Sequence, residues 1–322
     1  IAPAVRVALG KELHVNDGEN VMGRIVAALR RMGIDEVYDT TLGADLTVME
    51  ESEEFLDRLE SGEKLPLITS CCPGWVNYCE KKHPELLKNV STCRSPMQML
   101  ASILKHQAQN SPRKTFHFAV MPCTAKKFEA ARQEFTYENE PNVDAVITTQ
   151  ELIRMIKESG IMFNALEPEA IDMPFGMVSG AGVIFGVTGG VTEAVLRRVA
   201  SDKSRTALLS VAALGQRGSQ GIKEFTLPYG EETLRIAVVS GLGNAEEILK
   251  RVKNGEKFDF IEIMACPGGC VCGGGQPFAA SQALSNRGAG LYKADRSYSI
   301  RRSEENPLVS SIYSNIAGCV HE

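Results

Sequence analysis

Three short apolar runs in this chain each end in cysteine, and that recurrence constrains the fold more than any other feature. Residues 65–69 run into Ser70-Cys71-Cys72-Pro73-Gly74-Trp75. Residues 116–120 run into Met121-Pro122-Cys123, and residues 258–263 into Met264-Ala265-Cys266-Pro267-Gly268-Gly269-Cys270. Apolar runs of this length bounded by Pro and Gly read as buried strands. In open α/β sheets, ligands bind outside the carboxyl ends of the strands. Three such strands ending in cysteine therefore imply one shared site, built by residues far apart in sequence.

The rest of the pattern alternates strands and helices. Residues 5–9 read as a strand, and 21–32 as a helix after the Asn16-Asp17-Gly18 turn. A second helix is read over 46–59, with Met49, Leu56 and Leu59 on one side. The expectation is an α/β fold of two lobes, with mostly parallel twisted sheets flanked by helices and the site buried between the lobes. A chain of 322 residues is long enough for two lobes. They are not cleanly separable in sequence, so residues 1–322 are read as one catalytic domain. Residues 236–240 followed by Gly241-Leu242-Gly243 give a weak dinucleotide signal, and a tight strand-to-helix turn is the preferred reading. The Gly-rich run 179–190 fits backbone passing close to something bulky, or equally a buried turn.

Net charge is −5, and no basic run is interleaved with aromatics, which argues against nucleic acid as a partner. No apolar stretch is long enough to span a bilayer, and no signal peptide is evident. The expected compartment is the cytoplasm. The periplasm is the alternative, because the sequence begins without Met and reads as a segment of a longer polypeptide.

Nine cysteines in a chain this long do not suggest a disulfide framework. Cys79, Cys93 and Cys319 are read as small buried hydrophobes. The other six, Cys272 among them, cluster with Pro and Gly. Soft thiolates select iron–sulfur clusters, zinc or copper(I). Zinc sites favour paired C-x2-C units, which are absent, whereas a four-iron cluster accepts thiolates from dispersed positions. Cys72, Cys123, Cys266 and Cys270 are the candidates. On the residues alone, iron–sulfur leads, with zinc and buried structural thiols remaining open.

TSCCPGW at residues 69–75, MPCTAKKFE at 121–129 and EIMACPGGCVCGGGQP at 262–277 resemble, in order and separation, the three signature motifs of iron-only ([FeFe]) hydrogenases. The resemblance extends over nearly the whole chain. It implies reversible 2H⁺ + 2e⁻ ⇌ H₂ at an H-cluster, a [4Fe-4S] cubane joined to a two-iron subcluster bearing CO, cyanide and a bridging azadithiolate. It also implies that Cys72, Cys123, Cys266 and Cys270 ligate the cubane, with Cys270 bridging to the two-iron unit. Lys126 resembles the residue that hydrogen-bonds a cyanide. Met121, Met264, Phe185, Ala2, Pro3 and Pro96 resemble the pocket wall, with the neighbouring Ala4, and Glu129 a partner just behind it. Met97 stands where some relatives carry a polar residue. The role of Cys272 is left open.

Cys71 resembles the cysteine that passes protons to the pocket. Glu51, Glu54 and Arg58 lie at i, i+3 and i+7 and share one helix face. On the residues alone this reads as an exposed charge face. The resemblance makes Glu51 and Glu54 proton relays, with Ser91 between them and Arg58 at the mouth. No ferredoxin-like cysteine run appears, so electrons are expected from a ferredoxin or an electron-transfer subunit or domain, and cluster loading from maturation proteins. The alternatives are a slow sensory hydrogenase homologue and a non-catalytic iron–sulfur assembly protein of the same superfamily. Retention of Cys71, Lys126 and the Glu51–Glu54 pair argues against the second.

Overall fold

The computed structural model describes residues 1–108, 114–200, 202–218 and 221–316. Strands β1 (Leu67–Ile68), β2 (Phe118–Met121), β3 (Thr136–Tyr137), β4 (Glu140–Pro141), β5 (Ala145–Thr148), β6 (Ile222–Tyr229), β7 (Glu232–Ser240) and β8 (Phe260–Met264) form three sheets. The largest has the order β1-β8-β7-β6, and a second pairs β2 with β5. A small β3–β4 hairpin lies on the crossover between β2 and β5.

All three cysteine-bearing runs are strands, and two of them are neighbours. β1 and β8 pair in parallel, Leu67 beside Phe260, so the residues after both leave the same edge of the sheet. β8 also pairs in parallel with β7, while β6 closes the edge antiparallel. β8 is buried along its whole length, as a central parallel strand covered on both faces must be. Within it Glu262 is a buried charge that an apolar strand does not explain by itself.

The hydrophobic interior divides around these sheets. One cluster joins helix α1 (Met22–Arg31) to β2 and β5 through Ile25, Val26, Val120, Val146 and Leu152. Another packs the four-stranded sheet through Ile68, Trp75, Ala237, Val239, Ile261 and Ile263. The second draws on residues on both sides of the stretch 97–166 that belongs to the first, so the chain crosses between them more than once. Helix α2 (Thr41–Ser61) lies between, against helix α4 (Pro96–Ala108). Helix α3 (Pro73–Lys82) starts directly after Cys72, with Pro at its first position, where the missing N–H costs nothing.

The strand expected at residues 5–9 is not one. Pro3–Val7 form a 3₁₀ helix, every residue buried. A short apolar run cannot by itself distinguish a strand from a buried helical turn, and Pro3 at the first position favours the turn. The Ala2 N–H donates to the Val120 carbonyl at 3.0 Å and ties the segment to β2. Helix α2 begins five residues before the expected 46. Gly241, with φ 94°, makes the turn from β7 into the helix Leu242–Lys253. The Gly-rich run is close-packed backbone: a Cβ on Gly182 would stand 2.5 Å from the Thr41 carbonyl oxygen. Among the described residues no helix is long and apolar enough to cross a membrane.

Candidate active site

One cavity lies between the two larger sheets. Cys71, Cys72, Cys123, Cys266 and Cys270 all line it, with Lys126 and the apolar wall of Ala2, Pro3, Pro96, Met121, Phe185 and Met264. Ala4, Met97, Thr40, Ala44 and Gly186 also line it. Met97 adds an apolar thioether, with no hydrogen-bonding amide.

The convergence of the thiols follows from the sheet edges. β1 and β8 deliver Cys71, Cys72 and Cys266 side by side, and the Ala265 N–H points at Cys72 Sγ at 3.4 Å. β2 delivers Cys123 from the second sheet. Cys270 arrives on a loop held by glycines. Gly269 has φ 83°, and a Cβ there would sit 2.6 Å from the Thr188 nitrogen. Gly275 N–H donates to the Pro122 carbonyl at 2.9 Å, which presses the loop onto the end of β2 beside Cys123. The Gly268 N–H is fixed by Ser240 Oγ at 2.8 Å.

Burial pushes the Cys72 thiol up to about 11 and the Cys270 thiol well above its ordinary range, and the neighbouring cysteines add to both. Four thiolates this close repel each other unless cationic metal stands between them. Among the described residues no three His, Cys, Asp or Glu side chains converge on one point as ligands of a single ion would. Instead the four sulfurs surround a space. Soft donors spread around a cavity fit a polynuclear iron–sulfur group better than a lone zinc ion. All the described cysteines are free thiols.

Among the described residues Lys126 is the only cation on the cavity wall. Its Nζ donates to Glu129 Oε2 at 2.6 Å and to the Cys71 carbonyl at 3.3 Å, which leaves one donor for the cavity. Burial alone would lower the ammonium. Glu129 more than offsets that, with smaller help from Cys123 and Cys71, and the group is raised.

Behind Cys71, Glu51 is fully buried, with no hydrogen-bond partner on either carboxylate oxygen. Burial, with the Glu54 charge adding to it, lifts its carboxyl to about 8; the Ser91 and Ser70 dipoles oppose the shift. Glu54 is held differently. Ser91 Oγ donates to it at 2.8 Å, the Thr92 N–H at 3.0 Å and Arg58 Nη2 at 2.5 Å. Arg58 is 7% exposed and donates to three backbone carbonyls besides. The charge face that would otherwise read as exposed is therefore largely interior, because residues 89–93 fold over it.

Cys79 packs within the hydrophobic cluster beside the four-stranded sheet. Cys93 approaches Glu54 Oε2 at 3.7 Å. Cys272 packs into a cluster with Val271 and Leu291 rather than on the cavity wall, and Cys319 lies outside the described residues. Several buried acids escape a reading of the sequence, Glu262 and Asp45 among them. Glu262 accepts from the Gly189 and Thr192 N–H groups at 2.7 and 2.8 Å and fixes the turn after Phe185. Asp45 accepts from Ser303 Oγ at 2.8 Å and Asn306 Nδ2 at 3.1 Å. The lone charge in an apolar strand could have signalled Glu262; nothing local signals Asp45.

Residues 1–274 match the family described as iron only hydrogenase large subunit, C-terminal domain, and residues 281–322 match the iron hydrogenase small subunit. The NADP-reducing hydrogenase subunit HndD of Solidesulfovibrio fructosivorans is 46% identical over 98% of this chain and 56% of its own length. Iron hydrogenase 1 of Clostridium pasteurianum is 40% identical over 99% of this chain and 57% of its own. The chain thus spans little more than half the length of these relatives. The cytosolic iron-sulfur assembly component 3 of Rattus norvegicus is 32% identical over 97% of this chain and 69% of its own length. Among solved structures, an apo [FeFe]-hydrogenase HydA1 variant from Chlamydomonas reinhardtii superposes with a TM-score of 0.82 at 38% identity, covering 100% of this chain and 89% of that one. On its sequence match and its fold together, the chain belongs to the iron-only hydrogenase family, joining the C-terminal domain of the large subunit to a segment that resembles the small one.

Proposed function

We propose that residues 1–322 act as the catalytic unit of an [FeFe]-hydrogenase and interconvert two protons and two electrons with dihydrogen. The observation that carries this is the cavity itself: five thiols from three strand ends and a glycine loop, one lysine, and an otherwise largely apolar wall. Cys72, Cys123, Cys266 and Cys270 would hold the cubane, Cys270 shared with a two-iron subcluster bearing CO, cyanide and the azadithiolate. When bound, that group supplies the redox centre, an open iron and a local amine base, chemistry that belongs to the cofactor. Lys126 would offer its remaining donor to a cyanide of that group. Met121, Met264, Phe185, Ala2, Pro3 and Pro96 keep bulk water out.

The chain's own task is proton delivery. Cys71 exchanges protons with the pocket on one side and Glu51 on the other. Glu51, neutral near pH 7, both donates and accepts, as a relay must. Ser91 passes the proton between Glu51 and Glu54, and Arg58 anchors the Glu54 carboxylate where the path meets solvent. Electrons enter from a ferredoxin or an electron-transfer subunit or domain, and maturation proteins load the two-iron unit.

The test is to reconstitute the chain with iron, sulfide and the two-iron subcluster. Infrared bands of bound CO and cyanide, with hydrogen evolution from reduced viologen, are expected. A chain that binds the cubane but never the two-iron unit supports the assembly-protein reading, which the 32% identical relative favours. A colourless zinc protein overturns both.

A further inference from the structure

Arg287 lies on the helix Ser281–Ser297 and is 2% exposed. Its Nη1 donates to the Val271 carbonyl at 3.3 Å and its Nη2 to the Pro277 carbonyl at 3.0 Å, while Nε has no acceptor. The other buried arginines each face a carboxylate. Arg6 pairs with Asp39, Arg58 with Glu54, Arg197 with Asp295 and Glu193, and Arg302 with Glu305. Among the described residues no acid lies within ion-pair distance of Arg287. Asp17 and the Cys272 thiol act on it only from further off, and burial lowers the guanidinium from its ordinary range in spite of both.

A guanidinium stays protonated in proteins. A whole positive charge is therefore held inside the protein against peptide dipoles alone, an arrangement that costs stability. It is also aimed. Val271 directly follows Cys270, so the charge is hydrogen-bonded to the loop that carries a cluster thiol. A cubane with four thiolates is anionic and gains one more negative charge on reduction. A nearby cation in low dielectric favours that reduced form.

We propose that Arg287 raises the reduction potential of the iron–sulfur cluster, its unpaired charge beside the Cys270 loop stabilising the form that holds the added electron. The proposal rests on the ligand reading given above. Arg287 belongs to the stretch that matches the small subunit, so a segment related to a separate subunit tunes the centre held by the large one.

The experiment uses the full chain loaded with the cubane alone, reduced stepwise by dithionite and followed by electron paramagnetic resonance, with iron content measured in parallel. Arg287→Gln keeps an N–H donor for the Val271 carbonyl and removes the charge; Arg287→Lys keeps the charge and loses the fork. The Gln variant is expected to titrate at a more negative potential with unchanged iron, and the Lys variant close to the parent. An unshifted Gln variant, or a Lys variant shifted as far as Gln, overturns the proposal. If both variants lose their iron, the arginine is a loop clamp and the proposal also falls. A parent chain that takes up no four-iron cluster sinks the ligand reading instead, so the two failures are told apart.

Discussion

Glu51 and Glu54 stand one helical turn apart on α2, yet Glu54 accepts hydrogen bonds from Ser91, Thr92 and Arg58 while Glu51 accepts none. Two carboxyls on one helix face thereby meet different surroundings, and burial keeps the Glu51 carboxyl neutral near pH 7. Environment sets the difference: Glu54 has a cation and a backbone amide, and Glu51 has burial.

The first prediction follows from the sign of the Glu51 shift. Its carboxyl titrates at about 8 when folded, against 4.5 ordinarily. Between those values the unfolded chain loses the proton and the folded chain keeps it. Stability is therefore lost as pH rises from about 5 to 8, and the loss levels off above that. Glu51→Gln removes the titrating group. The variant should equal the parent in melting temperature near pH 5 and exceed it increasingly towards pH 8. Melting curves that run parallel across that range would show that Glu51 is not held neutral. The same variant, loaded, should evolve hydrogen more slowly, because an amide cannot relay a proton.

Glu54 behaves oppositely. Removing it leaves Arg58 buried, with only the Lys64, Asn89 and Val90 carbonyls as acceptors. Stranding one partner of a buried pair typically costs about 3–5 kcal/mol. Glu54 retains some solvent contact, so Glu54→Ala is expected to lose about 2–3 kcal/mol in urea unfolding. Glu54→Gln keeps an acceptor and should lose about half as much. Equal losses in the two would mean the charge contributes nothing.

How much of this was legible in the sequence depends on the kind of signal. Cys72, Cys123 and Cys266 were legible as candidates because each follows an apolar strand, and strand ends have a known relation to sites; Cys270 was legible because it follows Cys266 in the same Pro- and Gly-rich run. Which strands pair was not: that β1 and β8 are neighbours depends on chain crossings with no local signature. The run at residues 5–9 misled because apolar content fixes burial but not backbone angle. The acidic face of α2 misled in the opposite sense. Its spacing is that of a solvated helix, and only residues 89–93 packing on top make it interior. Arg58 could not be seen as buried from its neighbours on α2, since all its backbone acceptors lie outside that helix.

Gly43 tests the contact that brings α4 to the cavity. A Cβ there would lie 2.0 Å from the Pro96 carbonyl oxygen and 3.1 Å from Leu100 Cβ. Alanine is favoured over glycine inside a helix by about 1 kcal/mol. Overpacking a tight interface typically costs about 1–3 kcal/mol, and a backbone oxygen cannot rotate away. Gly43→Ala should therefore destabilise the protein on balance, and should shift Pro96 and Met97 at the cavity wall. A melting temperature at or above the parent's would show that the two helices are not locked together.

Cysteine substitutions separate ligation from proton transfer. Cys72, Cys123, Cys266 and Cys270 each face the cavity, whereas Cys79 and Cys272 pack into apolar clusters. Replacing any of the first four with Ala should lower bound iron and bleach the visible absorption, since a cubane deprived of a thiolate is poorly held. Cys79→Ala and Cys272→Ala should keep full iron. Cys71 is the informative case, because it lines the same cavity beside Cys72 without being needed as a ligand. Cys71→Ala is expected to retain its iron and its CO and cyanide bands and to lose most of its hydrogen evolution, with Cys71→Asp restoring part of it. Iron lost along with activity would make Cys71 part of the ligand shell, and activity kept would place the proton path elsewhere.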